Sequence, residues 1–204
     1  MTERARTPVA VCFVASHAQL GGAELYLESL LGALGPEWIA ELLVLGEGPF
    51  VDRLRAAGFA VRVVPCGRRA GLVAGAARMR RILLEHRPQL VHANGVKAAL
   101  VCVLATSATG IPVVWHKHDS ARDGRIGRWI ARRCALVVGV SASAVSALSG
   151  ARGVSTTVVA NGIPRHEVDR SAARRALLEA LQAGSASKVA VSYTHLTLPT
   201  TERV

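Results

Sequence analysis

Aromatic side chains are scarce in this sequence: three Trp, two Tyr and three Phe stand among 204 residues. Half of the chain is nevertheless hydrophobic. That excludes disorder and leaves Ala, Val and Leu to fill the core. Acidic residues are also few, 14 against 25 Lys and Arg, for a formal charge of +11. Only Lys97, Lys117 and Lys188 among those cations are lysine, so the excess is arginine. Such a balance favours acidic partners, whether phosphates, nucleic acid or anionic lipid headgroups, without choosing among them. Cysteines are four, Cys12, Cys66, Cys102 and Cys134, with no close spacing. Each lies in or beside an apolar run, so reduced core thiols are expected and a disulfide frame or a zinc site is not. The N-terminal MTERARTPVAVCFVA has too short an apolar stretch, and no cleavage site, for a signal peptide. The run AALVCVLATSATGIPVVW has the length of a membrane span, but Ser107, Thr109, Gly110 and Pro112 break it into helix, turn and strand. A cytoplasmic protein is therefore expected.

What the chain does hold is an alternation of apolar runs and helical patterns. Strands are expected at 8–16, 39–48, 59–65, 88–94, 111–119, 135–141 and 155–164. Helices are expected after residue 21 and over 48–58, 70–86, 95–108, 124–134, 142–149 and 170–182. Strands alternating with helices predict a parallel sheet covered on both faces. The strands are apolar without polar alternation, as doubly covered strands should be. The expected fold is α/β, a doubly wound, mostly parallel, Rossmann-like sheet. Ligands of such sheets bind at the carboxyl ends of the strands near the switch point. Attention falls on Ser16–Gly22, His92–Gly95, His116–Ser120 and Ser141.

Gly21 and Gly22 open the first helix where Ser, Thr, Asp or Asn would be the usual cap. One reading is a tight turn. The other is a helix N-terminus with free N–H groups, where glycine lets a phosphate approach the backbone without meeting a Cβ. The dinucleotide fingerprint G-x-G-x-x-G is absent, which weakens an NAD reading.

Four pieces acquire meaning together: GGAE (21–24), VHANG (91–95), GIPVVWHKHD (110–119), and VVGVSASAVSAL (137–148) with VVANGIP (158–164). In this order and spacing they resemble the N-terminal half of a family 4 glycosyltransferase of the two-domain GT-B fold. That family shows GGxE, a vHxH-like segment, G-x-P-v-v-x-t-x-H-d, v-S-x6-L and v-x-N-G-[IV]. The resemblance covers about residues 8–182. It implies two Rossmann-like domains facing a cleft, the second gripping a nucleotide-sugar and the first supplying the acceptor site. It also implies retention of anomeric configuration, with no metal and no cofactor. By resemblance, Gly21 and Gly22 lie against the donor's diphosphate and sugar, and His118 is the cleft histidine that faces the transferred sugar. Glu24 falls in the first helical turn, either there or as a simple helix-start acid. His116 should share the face of His118, and Asp119 either orients an imidazole or starts the next loop. Asn94 and Gly95 stand where many relatives carry a second histidine; with Lys97 they are acceptor-side candidates. Ser141 is expected to cap a helix, and Asn161 and Gly162 to form a hinge turn.

Arginines gather at Arg68, Arg69, Arg78, Arg80 and Arg81, and again at Arg122, Arg125, Arg128, Arg132 and Arg133 around Ile126, Trp129 and Ile130. They form either a solvated face or a surface that docks on the inner, anionic face of a membrane, in keeping with a lipid-linked or glycan acceptor. No nucleic-acid-binding motif accompanies them, so nucleic acid is not expected as a partner. The expected organisation is an acceptor-side domain over 1–164, a linker helix and the start of a donor-binding domain over 165–191, and an artefactual or disordered tail over 192–204. SYTHLTLPT departs from the composition before it and reads like translated sequencing adapter. The chain is thus expected to be half of a longer enzyme and inactive alone. A non-catalytic nucleotide- or partner-binding module and a nucleotide-sugar epimerase of the same fold are the rival readings.

Overall fold

The computed structural model describes residues 8–67, 70–121, 124–162 and 169–182. The chain divides into two compact units, Met1–Asn161 and Gly162–Val204. Among the described residues, the first unit holds seven strands in one parallel sheet: β1 (Val11–Ala15), β2 (Ile39–Val44), β3 (Arg62–Val63), β4 (Leu90–Asn94), β5 (Val113–Lys117), β6 (Leu136–Gly139) and β7 (Thr156–Val158). Their order is β3-β2-β1-β4-β5-β6-β7. The chain winds outward from β1 to β3, then returns and winds the other way from β4 to β7. The switch point lies between β1 and β4, and the Rossmann-like expectation holds.

Helices α1 (Gly22–Ala33), α2 (Pro49–Ala56), α3 (Ala70–His86), α4 (Val96–Ala105), α5 (Gly124–Ala131) and α6 (Ala142–Val145) connect the strands. Strand periodicity sorts the side chains between two cores. Cys12 and Val14 join Val91, Ala93, Val113 and Trp115 against α3, α4 and α5. Val11, Phe13 and Ala15 face the other way, onto Leu27 and Leu31 of α1 and Phe50 and Leu54 of α2. All five residues of β1 are buried, as a central strand covered on both faces requires. The four cysteines are free and buried in the first core. Burial pushes the Cys12 and Cys134 thiols up to about 12, so they behave as small apolar groups.

The edge strands are shorter than their apolar runs. β3 has two residues because only Leu43 and Val44 of β2 offer it register partners. Helix α6 is also shorter than 142–149. Ser141 caps it as expected, accepting from the Ala144 amide. The Ser146 hydroxyl then donates back to the Ser143 carbonyl, the local side-chain competition that makes serine a poor helix interior. In the second unit, helix α7 (Arg170–Ala180) forms where the periodicity placed it, with the Asp169 carboxylate accepting from the Ser171 and Ala172 amides. The proposed tail, 192–204, lies outside the described residues, as do Arg68, Arg69 and Arg122.

Candidate active site

The carboxyl ends of β1, β4 and β5 meet the entrance of α1 at the switch point. Beyond the α1 side of β1, one face of the sheet is polar. Alternation turns Val113, Trp115 and Lys117 of β5 toward the helices of the first core. His116 and then His118 fall on the opposite face with His92 and Asn94 of β4. His116 and His118 stack with centroids 4.6 Å apart and planes 14° apart. Tyr26 of α1 meets His116 edge-on at 4.7 Å and lies 5.2 Å from His118. His92 approaches His116 with Nε2 3.3 Å from Nδ1, and Phe13 covers its other side.

These rings are neutral at ordinary pH. Burial, followed by the neighbouring imidazoles, lowers His116 to about 3. Burial lowers His92 and His118 to about 4, partly opposed at His118 by the Asp119 carboxylate. A neutral His92–His116 pair shares one proton across its contact. Among the described residues His92 Nδ1 and His116 Nε2 are buried without a hydrogen-bond partner. Either tautomer assignment therefore leaves one orphaned N–H and one bare nitrogen beneath the site.

The structure brings Gly21, Gly22, Asn94 and His118 into one place. Gly21 caps α1 in extended conformation, with φ −148°. A Cβ there would come within 2.8 Å of Glu24 Oε2, the far end of a side chain that would have to shift aside. Gly22 is different. It is exposed, and a Cβ would meet nothing within 4 Å, so no contact within the chain requires glycine there. Glu24 is buried in the first turn, and burial raises its pKa against a backbone hydrogen bond that lowers it.

Two acceptor-side candidates, Asn94 and Gly95, are engaged within the chain. Asn94 is 1% exposed and both ends of its amide are engaged. Nδ2 donates to the Ala23 carbonyl at 3.0 Å, and Oδ1 lies 2.6 Å from His118 Nε2. Gly95 has φ +94° and ψ 167°, and its Cβ would stand 2.7 Å from Ser16 Oγ. Backbone conformation and a close neighbour dictate this glycine. Ser16, unmarked in the sequence except as a strand end, does the work of a cap for α4. Its hydroxyl donates to the Asn94 carbonyl at 2.7 Å and accepts from the Ala98 amide at 2.9 Å. Lys97, in the first turn of α4, is half-exposed and lies near His17, whose pKa falls through burial and then the Lys97 charge. Asp119 starts the next loop: its Oδ1 accepts from Lys117 Nζ at 2.6 Å and from the Ala121 amide at 3.0 Å. No sequence signal pointed to Tyr26, and Ser16 and Lys117 were marked only as members of strand-end segments, without the roles they play here; a lysine inside an apolar strand was the available signal for the latter.

On the opposite flank, Arg125, Arg128, Arg132 and Arg133 are exposed around Ile126, itself 65% exposed, and Arg133 lies 4.0 Å over the Trp129 ring. Arg80 is not part of a free basic face. It donates to the Ala105 and Ser107 carbonyls at the end of α4, where a cation suits the helix dipole. Among the described residues no helix is long and apolar enough to cross a membrane, and no His, Cys, Asp and Glu group is arranged to hold a metal.

A doubly wound parallel sheet with a polar cluster at its switch point places the chain among Rossmann-like α/β domains. The profile of Glycosyltransferase Family 4 matches residues 20–167, and the chain belongs to that family. No curated protein matches it. Among solved structures, Anabaena HepE in complex with UDP-glucose is similar at 24% identity and TM-score 0.67, over 83% of this chain and 50% of that one. The apo form of the lipopolysaccharide outer core galactosyltransferase WaaB is similar at 15% identity and TM-score 0.62, over 79% and 50%. The UDP-N-acetylglucosamine 2-epimerase of Rickettsia bellii is similar at 14% identity and TM-score 0.54, over 87% and 52%. These likenesses are of fold, and the chain spans about half the length of each.

Proposed function

We propose that this chain is the acceptor-side domain of a glycosyltransferase that moves a sugar from a nucleotide-sugar to a glycan or lipid-linked acceptor with retention of anomeric configuration. The observation that carries the reading is the family match over the very residues that form the Gly22–Asn94–His118 cluster at the switch point. In this reading the exposed backbone at Gly22 receives the donor's diphosphate, since a helix N-terminus offers N–H groups and glycine keeps the approach open. Lys97, at the start of α4, adds positive charge where a departing diphosphate needs it. His118 is the side chain that touches the sugar. The site uses fixed donors and cations in place of a metal. A second domain holds most of the nucleotide, so the 204-residue chain alone transfers no sugar.

The arginine flank of α5 fits peripheral docking on the cytoplasmic, anionic face of a membrane: guanidinium groups meet headgroups while Ile126 and Trp129 reach the interface. A lipid-linked acceptor would then be delivered along the surface. The test of the main reading is an assay of the whole enzyme with a panel of nucleotide-sugars, with NMR of the product's anomeric coupling. Transfer with retention is expected. Inversion refutes the stereochemical part. Epimerised nucleotide-sugar without transfer refutes the whole and favours the epimerase reading, whose fold this chain also shares.

A further inference from the structure

We infer that Asn94 is a positioning residue that locks His118 in the tautomer protonated on Nε2, leaving a bare Nδ1 to accept a hydrogen bond from a substrate hydroxyl. The argument runs through three atoms. The Ala23 carbonyl can only accept, so the Asn94 group 3.0 Å from it must be the NH2. The other end of the amide, 2.6 Å from His118 Nε2, is then the oxygen, which also can only accept. His118 Nε2 must therefore carry a proton. The ring is neutral at ordinary pH, so its one proton is spent there. Nδ1 is left as a lone pair with no hydrogen-bond partner among the described residues. It is not one of the sealed, unpartnered nitrogens, which are His92 Nδ1, Trp115 Nε1 and His116 Nε2.

The ring cannot turn over freely to exchange the two nitrogens. His116 stacks on one face and Tyr26 packs against it. The titratable groups around it are His116 and His92 from the sheet, Tyr26 from α1 and Asp119 beyond the strand end. The chemical consequence is a choice of ligand group. A bare imidazole nitrogen accepts from a hydroxyl and repels a phosphate oxygen. His118 thus reads a sugar hydroxyl, while the diphosphate belongs to the N–H groups at Gly22. The lock also connects the two motifs, because the Ala23 carbonyl that orients Asn94 sits in the same helical turn as Gly22. The identity of the hydroxyl as part of a sugar rests on the transferase reading; the lock does not.

The experiment is long-range proton–nitrogen NMR of the 15N-labelled 204-residue chain, with the His118 signals assigned by their loss in His118→Gln. The wild type is expected to show Nε2 protonated and Nδ1 bare at neutral pH, with the Nε2 proton shielded enough from exchange to be seen directly. Asn94→Ala should lose that protected proton. Asn94→Asp places a carboxylate opposite Nε2 and should raise the His118 titration midpoint by about 1 to 3 on the pH scale. That rise requires residue 94 to stand against Nε2, and the loss of the protected proton in Asn94→Ala separates the lock from mere proximity. A proton on Nδ1 in the wild type, a protected Nε2 proton that survives in Asn94→Ala, or an unchanged midpoint in Asn94→Asp overturns the inference. If Asn94→Ala does not fold, the wild-type tautomer and the Asp variant still decide. No nucleotide-sugar enters the experiment, so its failure is separate from a failure of the transferase reading.

Discussion

Replacing Gly95 by alanine is expected to damage the fold and not merely the site, and the damage should depend on a residue 79 positions away. The backbone at Gly95, φ +94° and ψ 167°, lies in a region used almost only by glycine, where another residue costs about 1–3 kcal/mol. The added Cβ would also stand 2.7 Å from Ser16 Oγ and 3.3 Å from Ser16 Cβ. Ser16 is buried and makes two hydrogen bonds, to the Asn94 carbonyl and from the Ala98 amide. Moving it aside loses both, each contributing about 0.5–1.5 kcal/mol. The Gly95→Ala total is about 2–6 kcal/mol, which for a chain of this size lowers the melting temperature by on the order of 10 °C. Ser16→Ala alone removes the cap of α4 and should cost about 1–2 kcal/mol. In the double variant the Oγ clash is gone. The backbone term, the loss of the two Ser16 bonds and a tight 3.3 Å approach to the Cβ of residue 16 remain. Those bonds are now counted once and not twice, so the combined loss should fall short of the sum by about 1 kcal/mol or more. Urea unfolding of the four proteins measures this. Strict additivity, or a Gly95→Ala protein as stable as the wild type, would show that Ser16 does not confine this glycine.

Gly22→Val should leave the free energy of urea unfolding within about 0.5 kcal/mol of wild type, because a Cβ there meets nothing within 4 Å, yet lower turnover of the whole enzyme about tenfold or more; wild-type turnover would remove Gly22 from the donor site. Stability should fall on acidification between about pH 6.5 and pH 4. His92, His116 and His118 titrate lower in the folded chain than in the unfolded one, so the unfolded state binds more protons in that window. Each histidine adds a slope of at most about 1.4 kcal/mol per pH unit, and a urea midpoint flat from pH 7 to pH 4 would contradict the buried neutral cluster. If the α5 flank docks on lipid, co-sedimentation with anionic vesicles should exceed that with neutral vesicles and weaken as salt shortens the roughly 8–10 Å screening length. Equal binding to both would leave only a solvated face.

Local sequence was enough for everything that depends on local chemistry. Continuous apolar runs marked the strands because a doubly covered strand needs no polar alternation, and the helix expected over roughly 70–86 is α3. Ser141 could be read as a cap because a cap and its helix are neighbours in the chain. The histidines of β5 could be paired on one face because that requires only a period of two. Tertiary structure decided whatever rests on strand order and register. Hydrogen bonds link Ser16 to Asn94, Ser16 to Ala98 and Asn94 to Ala23 across 78, 82 and 71 positions. No spacing within one motif announces that β4, and not β2 alone, lies beside β1. The sequence marked Gly95 as an acceptor-side candidate without showing that Ser16, just past the end of β1, stands against it. It marked Asn94 likewise without showing that its amide bridges the Ala23 carbonyl of α1 and His118. The fold class follows from periodicity, which each segment carries by itself; the site follows from which segments become neighbours, which only the packed sheet determines.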